Sequence, residues 1–252
     1  MAKRGNTTEN ENVYDERERR SNARFCAVLL SIVVVLLLFL NFWTANFSFV
    51  LVSGHSMDKT LYSGEYLLSC KVIYPEYEVQ RGDIIVVSVG HIPEWQEENK
   101  GKPSNNQTNF IIKRAIGLEG DIVRCTNGEM EICYAGTWDE TMAYAEYPFV
   151  AVDEPYAYYD EKEGGKTAPC NTFEYTVGDG EIFFLGDNRN HSNDSRYKEG
   201  HSALDRLYKI EDVTAIVPNW ALKHQKGLQK CLVEIPNKIK NAIAKPFRKL
   251  KK

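Results

Sequence analysis

NFIIKRAIGLEGD, residues 109–121, sets the class of fold. Its apolar stretch is rich in β-branched residues and closes on Gly117, Gly120 and Asp121, which is how a short strand reads. Six more runs share that make-up: FSFVLV (47–52), EYLLSCKVIY (65–74), DIIVVSV (83–89), DIVRC (121–125), EMEICYA (129–135) and EIFFLG (181–186). Gly, Asp and Asn punctuate the gaps. Helical periodicity is confined to one apolar stretch near the N-terminus and to the basic C-terminal end. A mainly β domain is therefore expected. Asn127-Gly128 is a strong two-residue hairpin turn. In that register Cys125 faces Met130 and Cys133 faces Ile122, so the two thiols point to opposite faces and no direct bridge joins them without a bulge.

Strand alternation makes the opening segment unusual. Lys113 shares a face with Ile111 and Ala115, while Ile112 and Arg114 share the other, so one of the two cations must lie among apolar neighbours. A lysine in that position either snorkels to water from an edge strand or sits in an apolar pocket. In a pocket its charged form is disfavoured, and it becomes a usable general base near neutral pH.

Upstream, Phe25 to Trp43 (FCAVLLSIVVVLLLFLNFW) carries no charge over 19 residues, close to the length that crosses a bilayer as a helix. A cleavable leader would have a shorter apolar core and a small-x-small site, and TANFSFVLVSG offers no clean one. Arg17, Arg19, Arg20 and Arg24 precede the stretch, and the next Lys or Arg is Lys59. The positive-inside rule then places the N-terminus in the cytoplasm and the rest outside the cell membrane. The chain divides into a polar cytoplasmic tail (1–24), expected to be disordered, a transmembrane helix (25–45), an extracytoplasmic domain (46–222) and a basic C-terminal tail (223–252). Two insertions break the strand rhythm, at about 92–109 and 135–172.

The second insertion is acidic and rich in tyrosine. Its Tyr144, Tyr147, Tyr156, Tyr158 and Tyr159 form either a binding surface or a partly packed lid, and it is the first place to look for substrate choice. The basic tail is either a solvated run or a segment that lies on an anionic membrane. A net charge of −4 with 43% hydrophobic residues argues against a disordered, fibrous or nucleic-acid-binding chain. Six scattered cysteines show no Cys-x2-Cys spacing, and no His-x3-His pattern occurs, so no metal and no cofactor is expected.

Three polar segments carry the candidate chemistry: GHSMDKTL (54–61), the Lys113 strand, and FFLGDNRNHSNDSR (183–196). Taken singly, the serines and Asx residues are turn formers. Taken together and in this order, they closely resemble the motif set of bacterial type I signal peptidases: Ser-Met-x-x-Thr-Leu soon after a membrane span, a hydrophobic-Lys-Arg-x-Ile-Gly-Leu-x-Gly-Asp strand, and Gly-Asp-Asn-Arg-x-x-Ser-x-Asp-Ser-Arg. RGDIIVV (81–87) also resembles a family strand.

The resemblance implies a signal-peptidase-like β catalytic domain behind one N-terminal transmembrane helix. It implies that Ser56 is the nucleophile, Lys113 the general base and Ser192 the hydroxyl that orients the lysine amine. Met57, Arg114, Asp187, Asn188, Arg189, Asp194 and Arg196 match residues that hold the site's framework, with Arg114 expected to pair with Asp194. Gly54 stands where some members place a serine that helps bind the oxyanion, as in Gram-positive relatives, and Lys59 stands where many have proline. His55 and His191 lie beside motif residues and are expected to be bystanders.

The implied activity is endoproteolytic removal of signal peptides from exported preproteins after a small-x-small segment, next to the lipid bilayer, with neither nucleic acid nor metal as partner. Two other readings remain: a dedicated or non-catalytic relative for assembly of surface proteins such as pilins, and a self-cleaving regulator similar to phage-type repressors. A non-catalytic relative would lack the serine or the lysine, and both are present. The second would carry DNA-binding helices in place of a membrane span.

Overall fold

The structure is a computed structural model that describes residues 5–71, 78–98, 100–101, 109–196, 208–235 and 238. The end of the EYLLSCKVIY run, the middle of the first insertion and most of the basic tail lie outside the described residues.

Helix α1 spans Gly5–Asn46 and is a unit by itself. Residues 17–46 are long and apolar enough to cross a membrane, and none of the apolar window is buried within the protein. The helix also runs back through the polar segment to Gly5, where composition alone suggests irregular chain. Glu and Arg cost little in a helix, so a turn already formed in the apolar stretch propagates into the ERERR run that precedes it.

The second unit, from Phe47 onward, is built on two antiparallel sheets. The first orders β1 (Phe47–Leu51), β2 (Tyr66–Lys71), β10 (Val213–Val217), β3 (Ile84–Ser88), β4 (Phe110–Leu118) and β9 (Ile182–Leu185) from one edge to the other. The second orders β7 (Val150–Ala151), β6 (Glu129–Cys133), β5 (Ile122–Thr126) and β8 (Phe173–Thr176). All seven strand-like runs of the sequence become strands. The β5–β6 hairpin takes the expected register, Cys125 opposite Met130 and Ile122 opposite Cys133, with Asn127 and Gly128 both at positive φ as a type I′ turn requires.

Apolar side chains from the two faces of the first sheet fill separate cores. Ile85, Val87, Ile111, Ala115, Phe184 and Ile216 pack on one side, while Ile84, Val217, Met57, Leu61, Leu67 and the partly buried Ile112 pack on the other. The third core, under the second sheet, joins Val123, Cys125, Met130 and Ile132 to Phe183 and Leu185. The strand that opened the reading, β4, sits between β3 and β9. β9 pairs with β4 only from Arg114 onward, so the Phe110–Lys113 half of β4 keeps one open edge.

The first insertion contributes a short helix, α2 (Pro93–Glu98). The second is folded onto the domain through β7, several 3-10 turns and a parallel bridge between Tyr158 and Asn188. After β10, short helical segments at Asn219–Lys223 and Gln225–Gln229 follow, and the Gln229 side-chain oxygen accepts from the Tyr66 N–H at 3.0 Å.

Candidate active site

Lys113 Nζ donates to Ser56 Oγ at 2.7 Å and to its neighbour's carbonyl, Ile112 O, at 3.2 Å. Lys113 lies on the face it shares with Ile111 and Ala115 and is 3% exposed, and Arg114 on the opposite face is buried as well. Burial drives the amine's pKa down, while Asp194 and Asp187 pull it up and Arg196 pushes it down, and the balance is about 8. A fully buried lysine that titrates this near neutrality is half of what a serine nucleophile needs.

Ser56 lies in the turn from Ser53 to Leu61, closed by the bonds of Asp58 N–H to His55 O and of Leu61 N–H to Met57 O. Gly54 begins that turn at φ +89°, a region that favours glycine, which accounts for the absence of a side chain there. Lys59, at φ +79°, also has a left-handed backbone, a conformation proline cannot adopt. The turn as built here therefore excludes proline at this position.

The loop after β9 cradles the turn from behind. Asn188 N–H donates to Ser56 O, and Asn188 Nδ2 donates to His55 O, both at 3.0 Å. Thr60 Oγ1 donates to Asp187 Oδ2 at 2.5 Å, and Met57 Sδ accepts from the Asp187 N–H. Gly186 packs so closely that a Cβ on it would come within 2.5 Å of Ser56 O and closer still to Ser192 Oγ.

Two sequence expectations need correction. Arg114 forks Asp187, at 2.8 and 2.6 Å, and leaves Asp194 to Arg196, which forks it at 2.8 and 2.9 Å. The reason is strand register: Arg114 sits opposite Leu185, two residues before Asp187, whereas Asp194 lies beyond the loop's far turn. Burial pushes the Asp194 carboxyl up, but the Arg196 fork outweighs it and holds the group below the usual carboxylate range. Ser192 is the second correction. Its buried Oγ has no hydrogen-bond partner, so the contact with the lysine amine is absent, although the hydroxyl lies near enough to favour the charged form of Asp194.

The histidines stand apart from the pair. His55 Nδ1 lies 3.1 Å from Asp58 Oδ2 and His191 Nε2 lies 3.6 Å from Asp160 Oδ2, and neither ring bonds Ser56 or Lys113.

Ser56 and Lys113 open onto a cleft of about 1090 Å³. Its walls are β1 with the following Val52–Met57 on one side and Phe110–Lys113 on the other, and Trp95 and Lys71 line it as well. Among the described residues, none from 135–172 lines it, and Trp95 of the first insertion does. The tyrosine-rich insertion thus does not wall this cleft, its Tyr144 being 48% exposed elsewhere on the surface, and sequence reasoning gave Trp95 no role. Reasoning also passed over Arg81 and Asp121, whose fork at 2.7 and 2.6 Å ties the RGDIIVV run to the end of the Lys113 strand. Complementary charge at two Gly-Asp motifs is the signal that was there.

Residues 25–211 match the family model described as signal peptidase, peptidase S26. The chain belongs to this family. Signal peptidase I U of Bacillus subtilis (strain 168) is 30% identical over 189 residues, covering 74% of this chain and 84% of that one. Signal peptidase I T of the same strain is 32% identical over 182 residues, with 70% and 78% covered. The probable signal peptidase I-1 of Synechocystis is 34% identical over 167 residues, with 66% and 69% covered. A solved signal peptidase I from Enterococcus faecalis V583 is 26% identical and superposes on 56% of this chain with a TM-score of 0.30. The chain is accordingly a hydrolase of the signal peptidase I kind.

Proposed function

We propose that the chain is a membrane-anchored endopeptidase that removes N-terminal signal peptides from exported preproteins, with Ser56 as nucleophile and Lys113 as general base. The observation that carries this reading is the 2.7 Å contact between a serine hydroxyl and a buried lysine amine whose pKa is lowered to about 8. Ser56 Oγ attacks the scissile carbonyl carbon while the neutral amine takes its proton. The tetrahedral intermediate collapses, the C–N bond breaks, and the Lys113 ammonium gives the proton to the leaving amine. Water then attacks the ester, again with Lys113 as base, and the acid product leaves a regenerated hydroxyl. The Ser56 backbone N–H is the donor that this reading gives the oxyanion.

The substrate would enter as an extended strand. β1 is an edge strand, the Phe110–Lys113 half of β4 has an open edge, and both wall the cleft, so a peptide can add main-chain bonds there. The arginines before the apolar helix favour an N-terminus in the cytoplasm, which puts this cleft on the outer side, where signal peptides of exported chains emerge.

Purified full-length protein in detergent, incubated with a preprotein, tests the assignment. Ser56→Ala and Lys113→Ala should each abolish processing, and His55→Ala and His191→Ala should keep most of it. Processing that survives Ser56→Ala would overturn the reading.

A further inference from the structure

The Glu154–Asp160 segment of the tyrosine-rich insertion lies directly behind the loop that backs the nucleophile. Tyr158 N–H donates to Asp187 O at 2.7 Å, and Tyr158 O accepts from Arg189 N–H at 2.8 Å. The peptide groups on both sides of Asn188 are therefore held by one residue of the insertion. Asn188 in turn holds the carbonyls of Ser56 and His55. A shift of the insertion passes through one residue to the nucleophile.

Side chains lock that register. Arg189, 2% exposed, forks Glu154, 6% exposed, at 2.5 and 3.0 Å, and its Nη1 donates to the Tyr159 hydroxyl at 3.2 Å. Tyr156 donates to Glu154 and lies under the Arg114 guanidinium, 3.9 Å from ring centre, the same guanidinium that forks Asp187. Lys59 of the nucleophile turn reaches back over the Tyr158 ring at 4.7 Å. Asp160 N–H donates to Asn190 Oδ1 at 2.9 Å. The insertion, the loop after β9 and the nucleophile turn are thus cross-tied, and the carboxylate that the insertion supplies to the Arg189 fork is Glu154.

We propose that Glu154 is a positioning residue for Ser56, acting through Arg189 and Asn188, so that the insertion is part of the catalytic framework instead of a specificity lid. The inference rests on Ser56 as nucleophile. A buried pair deprived of one partner leaves an uncompensated charge, and the loop would shift to hydrate it. Displacing a nucleophile by about an ångström costs up to a hundredfold in rate.

Single-turnover cleavage of a peptide containing an Ala-x-Ala segment, with full-length enzyme in excess, separates positioning from fold. The plateau rate constant reports chemistry in folded molecules, and an unfolded fraction only raises the concentration needed to reach it. Glu154→Gln should lower the plateau between about tenfold and a hundredfold with the half-saturating concentration corrected for folded protein within about twofold. The double variant Glu154→Met with Arg189→Met removes both charges and leaves no uncompensated one, so it should recover the thermal midpoint that the single variant loses while keeping the low plateau. An unchanged plateau in Glu154→Gln, or a full plateau in the double variant, overturns the proposal. Failure of the dyad itself would show differently, as cleavage that survives Ser56→Ala.

Discussion

Lys113 Nζ and Ser56 Oγ stand 2.7 Å apart, with 56 residues between them in sequence and the lysine almost wholly buried. Keeping a cation there is a cost to the fold. Below pH about 8 both folded and unfolded chains carry the proton, so the folded state bears the whole penalty; as pH rises from about 8 towards the ordinary lysine value, the folded amine is already neutral and the penalty disappears. A drop from 10.5 to about 8 corresponds to about 3 kcal/mol. Lys113→Met should therefore raise the unfolding midpoint at pH 7 while abolishing activity, and the gain should shrink towards pH 10. A less stable Lys113→Met at pH 7 would contradict the burial argument.

Gly186 is required by crowding. Gly186→Ala would drive a methyl into the Ser56 carbonyl and the Ser192 hydroxyl, and the loop would have to move. Overpacking of this kind costs about 1 to 3 kcal/mol. The turnover number should fall by about a hundredfold or more, since the carbonyl struck belongs to the nucleophile. Steady-state kinetics and a melt on the same variant check both halves.

Lys59→Pro should do more damage than its exposed position suggests. The ring fixes φ near −65°, whereas this residue sits at +79°. A loss of more than about 1 kcal/mol is expected, read as a lower denaturation midpoint. Lys59→Gly should keep the turn, because glycine adopts positive φ without strain.

The strands were legible because period and composition agreed: β4, the β5–β6 hairpin and β9 were each bounded by Gly, Asp or Asn. β10, VTAIV at 213–217, and β8, FEYT at 173–176, were passed over: β8 alternates two aromatic with two polar residues and has no continuous apolar run, and β10 pairs only with β2 and β3, strands distant in sequence. At the site, the motif spacing brought Ser56, Lys113 and the Gly186–Arg196 loop onto one list, and the structure brings them into one place. Ion-pair partners were the weak point. Arg114 has two acidic candidates seven residues apart, and only the β4–β9 register decides between Asp187 and Asp194. Glu154 was invisible for the same reason, being one of many acids in a segment whose packing depends on contacts distant in sequence.

Trp95 should affect substrate choice where the tyrosine-rich insertion does not. Trp95→Ala opens the cleft wall, so KM should rise unequally across peptides of different sequence with smaller changes in turnover number. Equal KM values for wild type and variant over a panel of peptides would remove Trp95 from recognition.

The central claim is that a lysine, and no histidine, takes the proton from Ser56. The most direct test is the pH dependence of single-turnover acylation in the His55→Ala, His191→Ala double variant beside wild type. The account expects both profiles to rise with pH through a limb at about 8, as Lys113 loses its proton, and to overlay. A limb that disappears or moves when the two histidines are removed would contradict it.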